Sequence, residues 1–271
     1  FDIWVYNELG KVGVQHTGYP VHSVYEDLTW DKSDTMSGAG DDWAYEHLGV
    51  FGWTTEFWDI IFHATGKHSP TDVWYVGPTP EQELAVCKWT DTHAPGSYSP
   101  WKKFNHPQLG EIEIGGCDPI KTWSNAPASK LRDEVAPHVH FAIYQALASP
   151  RLEIKRANAE ALGNGVYKVE IGIANTGWLG TEISEWAHKN KIVLPLTAEI
   201  SGATLVEGAP RVKLGQLDGR VKFRVSGDAK SDGTPDRVLQ SWLIRGEKGQ
   251  RVTLTATHQR AGVASAVVEL P

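Results

Sequence analysis

Glu56 is the residue best placed by type and spacing for proton transfer. It lies in the stretch GAGDDWAYEHLGVFGWTTEFWD, residues 38–59. There a glycine-containing loop leads into the acidic pair Asp41-Asp42, followed by a short amphipathic turn over Trp43–Leu48. After Gly49, the run from Val50 to Trp58 is rich in β-branched and aromatic residues and reads as a strand. Side chains alternate along a strand, so Val50, Gly52, Thr54 and Glu56 share one face, while Phe51, Trp53, Thr55 and Phe57 take the other. A carboxylate among bulky apolar neighbours is costly to bury unless it is paired, hydrogen-bonded or open to a cleft. Open to a cleft, it is suited to general-base catalysis. Held by Lys or Arg, it is a structural rim residue.

Metal chemistry finds less support. A catalytic zinc needs three protein ligands and an open position. His16 and His22 are not spaced for that, and His138 and His140, two apart on a helix, diverge. No zinc site is expected in this chain. Cys87 and Cys117 are the only cysteines; they fit one disulfide or two buried thiols, and no CxxC motif occurs.

The pattern Asp42-Trp43-x-Tyr45, then Gly49, then Thr54-x-Glu56, resembles the end of the catalytic domain of zinc metallocarboxypeptidases of the carboxypeptidase A/B type. Asp42 to Glu56 spans fourteen positions, the offset at which that family places its catalytic glutamate. The resemblance implies that Glu56 takes a proton from the metal-activated water and delivers it to the leaving amine. It places Asp41 at the base of the side-chain specificity pocket, where an acidic residue goes with C-terminal Lys or Arg. The competing reading makes Asp41 the N-cap of the Trp43 turn. The family's substrate-clamping tyrosine falls by offset on Asp34, a departure for which Tyr25 is the stand-in. Thr54 and Tyr25 thus join Asp41 as substrate-binding residues. The family's His-x-x-Glu pair, later His and carboxylate-binding guanidinium lie upstream of the turn and have no match here. The resemblance therefore implies zinc in the complete enzyme, none with this chain alone, a peptide substrate, and a partner in the missing N-terminal half of the catalytic domain. It also points to a location outside the cytoplasm.

The elements that must position these residues fall into two regions. Residues 1–150 are expected to be the latter part of a carboxypeptidase-like α/β domain. A helix is expected over residues 2–9, ended by Gly10. It opens at residue 2 without a cap, which suggests a piece of a longer protein. Val21–Tyr25 reads as a short strand or extended loop, Ile60–Pro80 as connection, and Ala94–Pro107 as loop. Thr79-Pro80-Glu81-Gln82 is a capping box opening a helix to about Trp89. Leu109–Ile114 reads as a strand. A second helix spans Ala128–Leu147, with Leu131, Val135, Val139, Ile143 and Leu147 in one apolar stripe and a kink at Pro137.

Beyond Ser149-Pro150 the pattern changes to short alternating strands: 152–155, 167–174, 192–199, 221–225, 238–244, 251–257 and 263–270. Turn dipeptides Asn164-Gly165, Asp218-Gly219, Asp232-Gly233 and Lys248-Gly249 separate them. Seven strands argue for an all-β, immunoglobulin-like sandwich over residues 151–271.

At 271 residues the chain can bury a sizeable core. A net charge of −7 argues against non-specific nucleic-acid binding. No apolar run is long enough to span a membrane. Twelve Trp residues keep a second class of function open: a carbohydrate-binding or glycosidase-related module, with Asp41 or Asp42 and Glu56 as its carboxylates.

Overall fold

A computed structural model describes residues 1–29, 31–33, 38–222 and 234–271, leaving the side chain of Trp74 outside that description. In chain order the elements are α1 (Asp2–Thr17), a π-helical turn (Val24–Leu28), α2 (Gly40–Glu46), α3 (Ile60–Thr65), α4 (Val73–Val76) and α5 (Pro80–His93). They continue with β1 (Tyr98–His106), β2 (Gly110–Cys117), α6 (Pro119–Thr122), α7 (Ala128–Ala148), β3 (Leu152–Gly163), β4 (Val166–Asn175) and α8 (Glu185–Asn190). The last strands are β5 (Leu196–Ser201), β6 (Thr204–Leu205), β7 (Arg211–Gly215), β8 (Arg237–Arg245), β9 (Arg251–His258) and β10 (Gly262–Glu269).

The chain packs into two units. One holds residues 1–9, 36–53 and 143–271, the other residues 10–35 and 54–142. Ser149-Pro150 therefore lies inside the first unit, whose early segments pack with the loop at residues 178–184 and with α8.

The first unit is built on an antiparallel β-sandwich. One sheet has the order β10-β9-β5-β7 and the other β3-β4-β8-β6. Alternation decides what is buried: along β4, Tyr167, Val169, Ile171 and Ile173 point inward, and along β9 Val252, Leu254 and Ala256 do the same. Trp242 and Ile244 from β8, with Leu196, Ala198 and Ile200 from β5, complete the core. Glu170, on the opposite face of β4, pairs with Arg156 at 2.8 Å and Lys168 at 2.7 Å.

A smaller cluster of Val5, Leu9, Ala148 and Leu179 gathers the start of α1. Asp2 pins that start. Its Oδ1 accepts from the backbone N of Glu185 at 2.8 Å, and its Oδ2 from the N of Trp186 at 3.1 Å and the Tyr45 hydroxyl at 2.7 Å. This places a carboxylate against the otherwise unpaired N–H groups that open α8.

The second unit is mostly helical, with the antiparallel hairpin β1-β2. Its core is the cluster Trp58, Ile60, Ile61 and Val86, flanked by Ala64, Val73, Trp89, Trp123 and Ala126. Helix α5 opens on the expected capping box, with Thr79 accepting from the N of Gln82 and Gln82 accepting from the N of Thr79.

Several expectations are corrected. The first helix runs through Gly10 to Thr17 and stops at Gly18, whose φ of 74° is the left-handed stop; its N donates to Val14 O at 2.8 Å. The strand expected over Val50–Trp58 does not form, and residues 51–59 are irregular. Its backbone donors are spent elsewhere. Val50 N bonds Ala44 O, Gly52 N bonds the Tyr6 hydroxyl, and Trp58 N bonds the Tyr19 hydroxyl. A Cβ on Gly52 would come within 2.9 Å of the Asp41 backbone, a close approach unlike a ladder.

The segment 21–25 ends in the π-helical turn, α3 and α4 interrupt the connection 60–80, and β1 occupies part of the loop 94–107. The third sandwich strand begins at Leu196 rather than Ile192, and Val221 and Lys222 lie in a 3-10 turn. Residues 223–225 and the Asp232-Gly233 turn fall outside the described residues, as does Asp34. Strands β6 and β7 and helix α8 were not anticipated. Helix α7 forms with Pro137 inside it, but its apolar stripe is exposed, from 38% at Val135 to 75% at Leu147.

Candidate functional site

The residues assigned from sequence divide between the units. Asp41 belongs to the first; Tyr25, Thr54 and Glu56 belong to the second. Asp41 sits in the first turn of α2, where its own Oδ1 accepts from the N of Asp42 at 3.1 Å. Ala39, not Asp41, is the N-cap, and its side chain makes no capping bond, which removes the capping reading of Asp41. Tyr25 is exposed in the π-helical turn, with the Lys32 ammonium 4.8 Å from its ring centroid. Thr54 and Glu56 are exposed in the irregular segment. Glu56 forms no hydrogen bond or ion pair among the described residues, so the Lys or Arg partner of a rim glutamate is not there.

Two residues past Glu56 the backbone is strained. Trp58 has φ 85°, a left-handed conformation that costs a bulky side chain on the order of 1–3 kcal/mol. It is held by three contacts. Its N donates to the Tyr19 hydroxyl at 2.9 Å, its indole Nε1 donates to Thr122 O at 2.6 Å, and its ring stacks on His63 with centroids 4.4 Å apart.

Those contacts lead to a polar cluster that sequence reasoning missed. The Tyr19 hydroxyl donates to Glu134 Oε2 at 2.5 Å, and His63 Nε2 lies 2.6 Å from Glu134 Oε1. Glu134, on α7, has a side chain only 9% exposed. Both carboxylate oxygens of Glu134 are thus engaged within the second unit. Burial, and next the bond to Glu134, push the Tyr19 phenol well above its ordinary range, keeping it a donor. His138 stands edge-on to Tyr19 and Phe57, and its enclosed Nε2 has no hydrogen-bond partner among the described residues. Burial pulls its pKa down, against the opposing pull of Glu134. His140 instead stacks with His16 at 5.8 Å.

The cluster could not be read from spacing. His63 and Glu134 are 71 positions apart and Tyr19 and Glu134 115, so no local motif encodes it. Nor is it arranged for a cation. Among the described residues no group of three or more His, Cys, Asp or Glu could hold a metal ion. The zinc of the resembled family therefore does not fit the described residues of this chain. A cleft of about 500 Å³ elsewhere in the second unit is lined by His93, Lys121, Asn125 and Ser129 among others, and none of the residues assigned from sequence lines it. No described helix is long and apolar enough to cross a membrane.

Comparison with known proteins adds little chemistry. Residues 151–269 match the profile of a family described as Domain of unknown function (DUF8731). No curated protein matches the chain. Among solved structures, the GAE domain of GGA2p from Saccharomyces cerevisiae is similar at 10% identity and a TM-score of 0.25, covering 45% of this chain and 90% of that one.

Proposed function

We propose that this chain is the C-terminal portion of a zinc-metallocarboxypeptidase-like amide hydrolase, followed by an immunoglobulin-like sandwich, and that Glu56 is its general base. One observation carries the reading: Glu56 is an exposed carboxylate with no Lys or Arg partner among the described residues, at the offset from Asp42 that the family uses. A carboxylate whose lone pairs are not taken up by the protein is available to accept a proton from water and return it to a leaving amine. In this reading Asp41 selects a basic C-terminal side chain, and Thr54 and Tyr25 contact the peptide. No group of three His, Cys, Asp or Glu among the described residues is arranged for zinc, and no step is assigned to it.

The test is Glu56→Gln in the full-length natural protein, which keeps size and polarity and removes basicity. Release of C-terminal residues should fall by a factor on the order of 10²–10⁴. Wild-type turnover by the variant would remove the assignment.

A second reading, polysaccharide binding, has one observation in its favour. Tyr98, Trp101 and Phe104 on β1 are exposed, Trp101 at 59%, and exposed aromatic rings are what sugars stack on. The sandwich offers less, since its Trp242 and Tyr167 are buried. Retention on an insoluble polysaccharide that Trp101→Ala abolishes would favour this reading.

A further inference from the structure

We propose that Cys87 and Cys117 form an oxidation site, closing to an intrachain disulfide when a small-molecule disulfide such as oxidised glutathione is the oxidant. Their Sγ atoms lie 3.4 Å apart, on helix α5 and at the last residue of β2. A disulfide bond is about 2.05 Å long, so the sulfurs need to close by only about 1.4 Å.

Both backbones are already fixed. Cys87 follows Val86 and precedes Thr90, both fully buried, on a helix held at its start by the Thr79–Gln82 capping box. Cys117 is in register with Tyr98 across the hairpin. The next residue, Asp118, donates its N to Ser97 O at 2.7 Å and caps α6 by accepting from the N of Ile120 and Lys121. Both cysteines are partly exposed, so a small oxidant reaches them. The pair is thus pre-positioned, unlike two cysteines that happen to be present in one chain.

The chemistry balances in two exchanges. One cysteine thiolate attacks oxidised glutathione, forming a mixed disulfide and releasing one glutathione thiolate. The other cysteine thiolate attacks the protein sulfur of that mixed disulfide, closing the Cys87–Cys117 bond and releasing the second glutathione. The protein loses two protons and two electrons, and one oxidised glutathione becomes two reduced ones. Burial, and next the neighbouring Cys87 sulfur, push the Cys117 thiol up to about 11, so its thiolate is scarce at neutral pH. Closure should therefore accelerate as the pH is raised.

The product ties α5 to the end of the hairpin across a span of 30 positions. Cross-linking a loop of that length restricts the unfolded chain, with little to reorganise in the folded one.

The experiment equilibrates the full chain in a buffer of oxidised and reduced glutathione, then blocks free thiols under denaturing conditions. Loss of both thiols, a mass lower by two hydrogens, and a peptide pair joining residues 87 and 117 are the expected result. The melting midpoint of the oxidised protein should exceed that of the reduced one by an amount on the order of 10 °C. Neither Cys87→Ser nor Cys117→Ser should show that shift. Free thiols at equilibrium, persistent glutathione adducts on both cysteines, or disulfide-linked dimers would each overturn the proposal. The thiol mapping on the unsubstituted chain decides the matter even if a serine variant fails to fold.

Discussion

The sandwich and the helical second unit are stabilised in different ways. Among the described residues the sandwich buries sixteen in one cluster drawn from both sheets, all of them aliphatic or aromatic. The second unit's apolar cluster has four buried members among the described residues, and a polar and aromatic network surrounds it: Trp58 on His63, His63 on Glu134, Glu134 on Tyr19, Tyr19 on Trp58. Apolar burial is non-directional and tolerates sequence change so long as volume is kept. The hydrogen bonds of such a network are directional, and losing the Glu134 acceptor leaves its donors unsatisfied. The sandwich should therefore fail by loss of volume and the second unit by loss of a partner.

The largest effect should come from volume. Leu254→Ala in the centre of β9 should cost about 2–5 kcal/mol, read as lost hydrogen-exchange protection across β4, β5 and β9. The same amides should exchange more slowly in the unsubstituted protein than those of α3 and α5. Equal protection in both sets would break the contrast.

Next in size is a partner. Glu134→Ala leaves the Tyr19 hydroxyl and His63 Nε2 without their acceptor, and should cost about 1–3 kcal/mol in urea titrations followed by tryptophan fluorescence. If Glu134→Ala is neutral, the network is not what holds the second unit.

A smaller, pH-dependent effect should appear through one histidine in each unit. His258 is 3% exposed; its Nδ1 accepts from the N of Arg260 and of Ala261, and its Nε2 faces Gln216 Oε1 at 3.0 Å. Burial, then the charge of Arg260, lowers its pKa, and burial lowers that of His138 as well. A histidine whose folded pKa is depressed binds its proton more readily in the unfolded chain. Its stabilising share is complete above the unfolded value, near 6.5, and is lost as pH falls through the folded one. Stability should decline below about pH 6.5, and His258→Gln should flatten the part of that decline seen in sandwich amides. A slope unchanged by the substitution would exclude His258 as its origin.

The smallest effect belongs to Glu56→Gln. With no partner among the described residues, the exposed side chain should alter stability by less than about 1 kcal/mol. A larger loss would mean that Glu56 is structural, and would weigh against its role as a base.

Legibility followed the same contrast. In the sandwich, inward residues such as Val169, Ile171 and Ile173 alternate strictly, and Asn164-Gly165 marks the turn between β3 and β4, so β4 could be read from sequence; β3 was read only over 152–155, although it runs to Gly163. The capping box at Thr79 was equally local. The segment Val50–Trp58 has the composition of a strand, yet its donors at Val50, Gly52 and Trp58 are claimed by Ala44, Tyr6 and Tyr19. Composition reports what a segment prefers; the partners available decide whether a ladder forms. The Glu134 network was invisible for a related reason, since it joins residues from α1's following loop, α3 and α7.

Asp2 has a consequence for synthesis on the ribosome. Its carboxylate meets the backbone of residues 183 and 184 positions downstream, at Glu185 and Trp186. At roughly 5–20 residues per second, on the order of 10–40 s pass before those partners emerge. During that interval the start of α1 has neither its carboxylate partners nor Leu179 to cover Val5 and Leu9. The first unit cannot complete as the chain grows; it closes only after most of the polypeptide has been made.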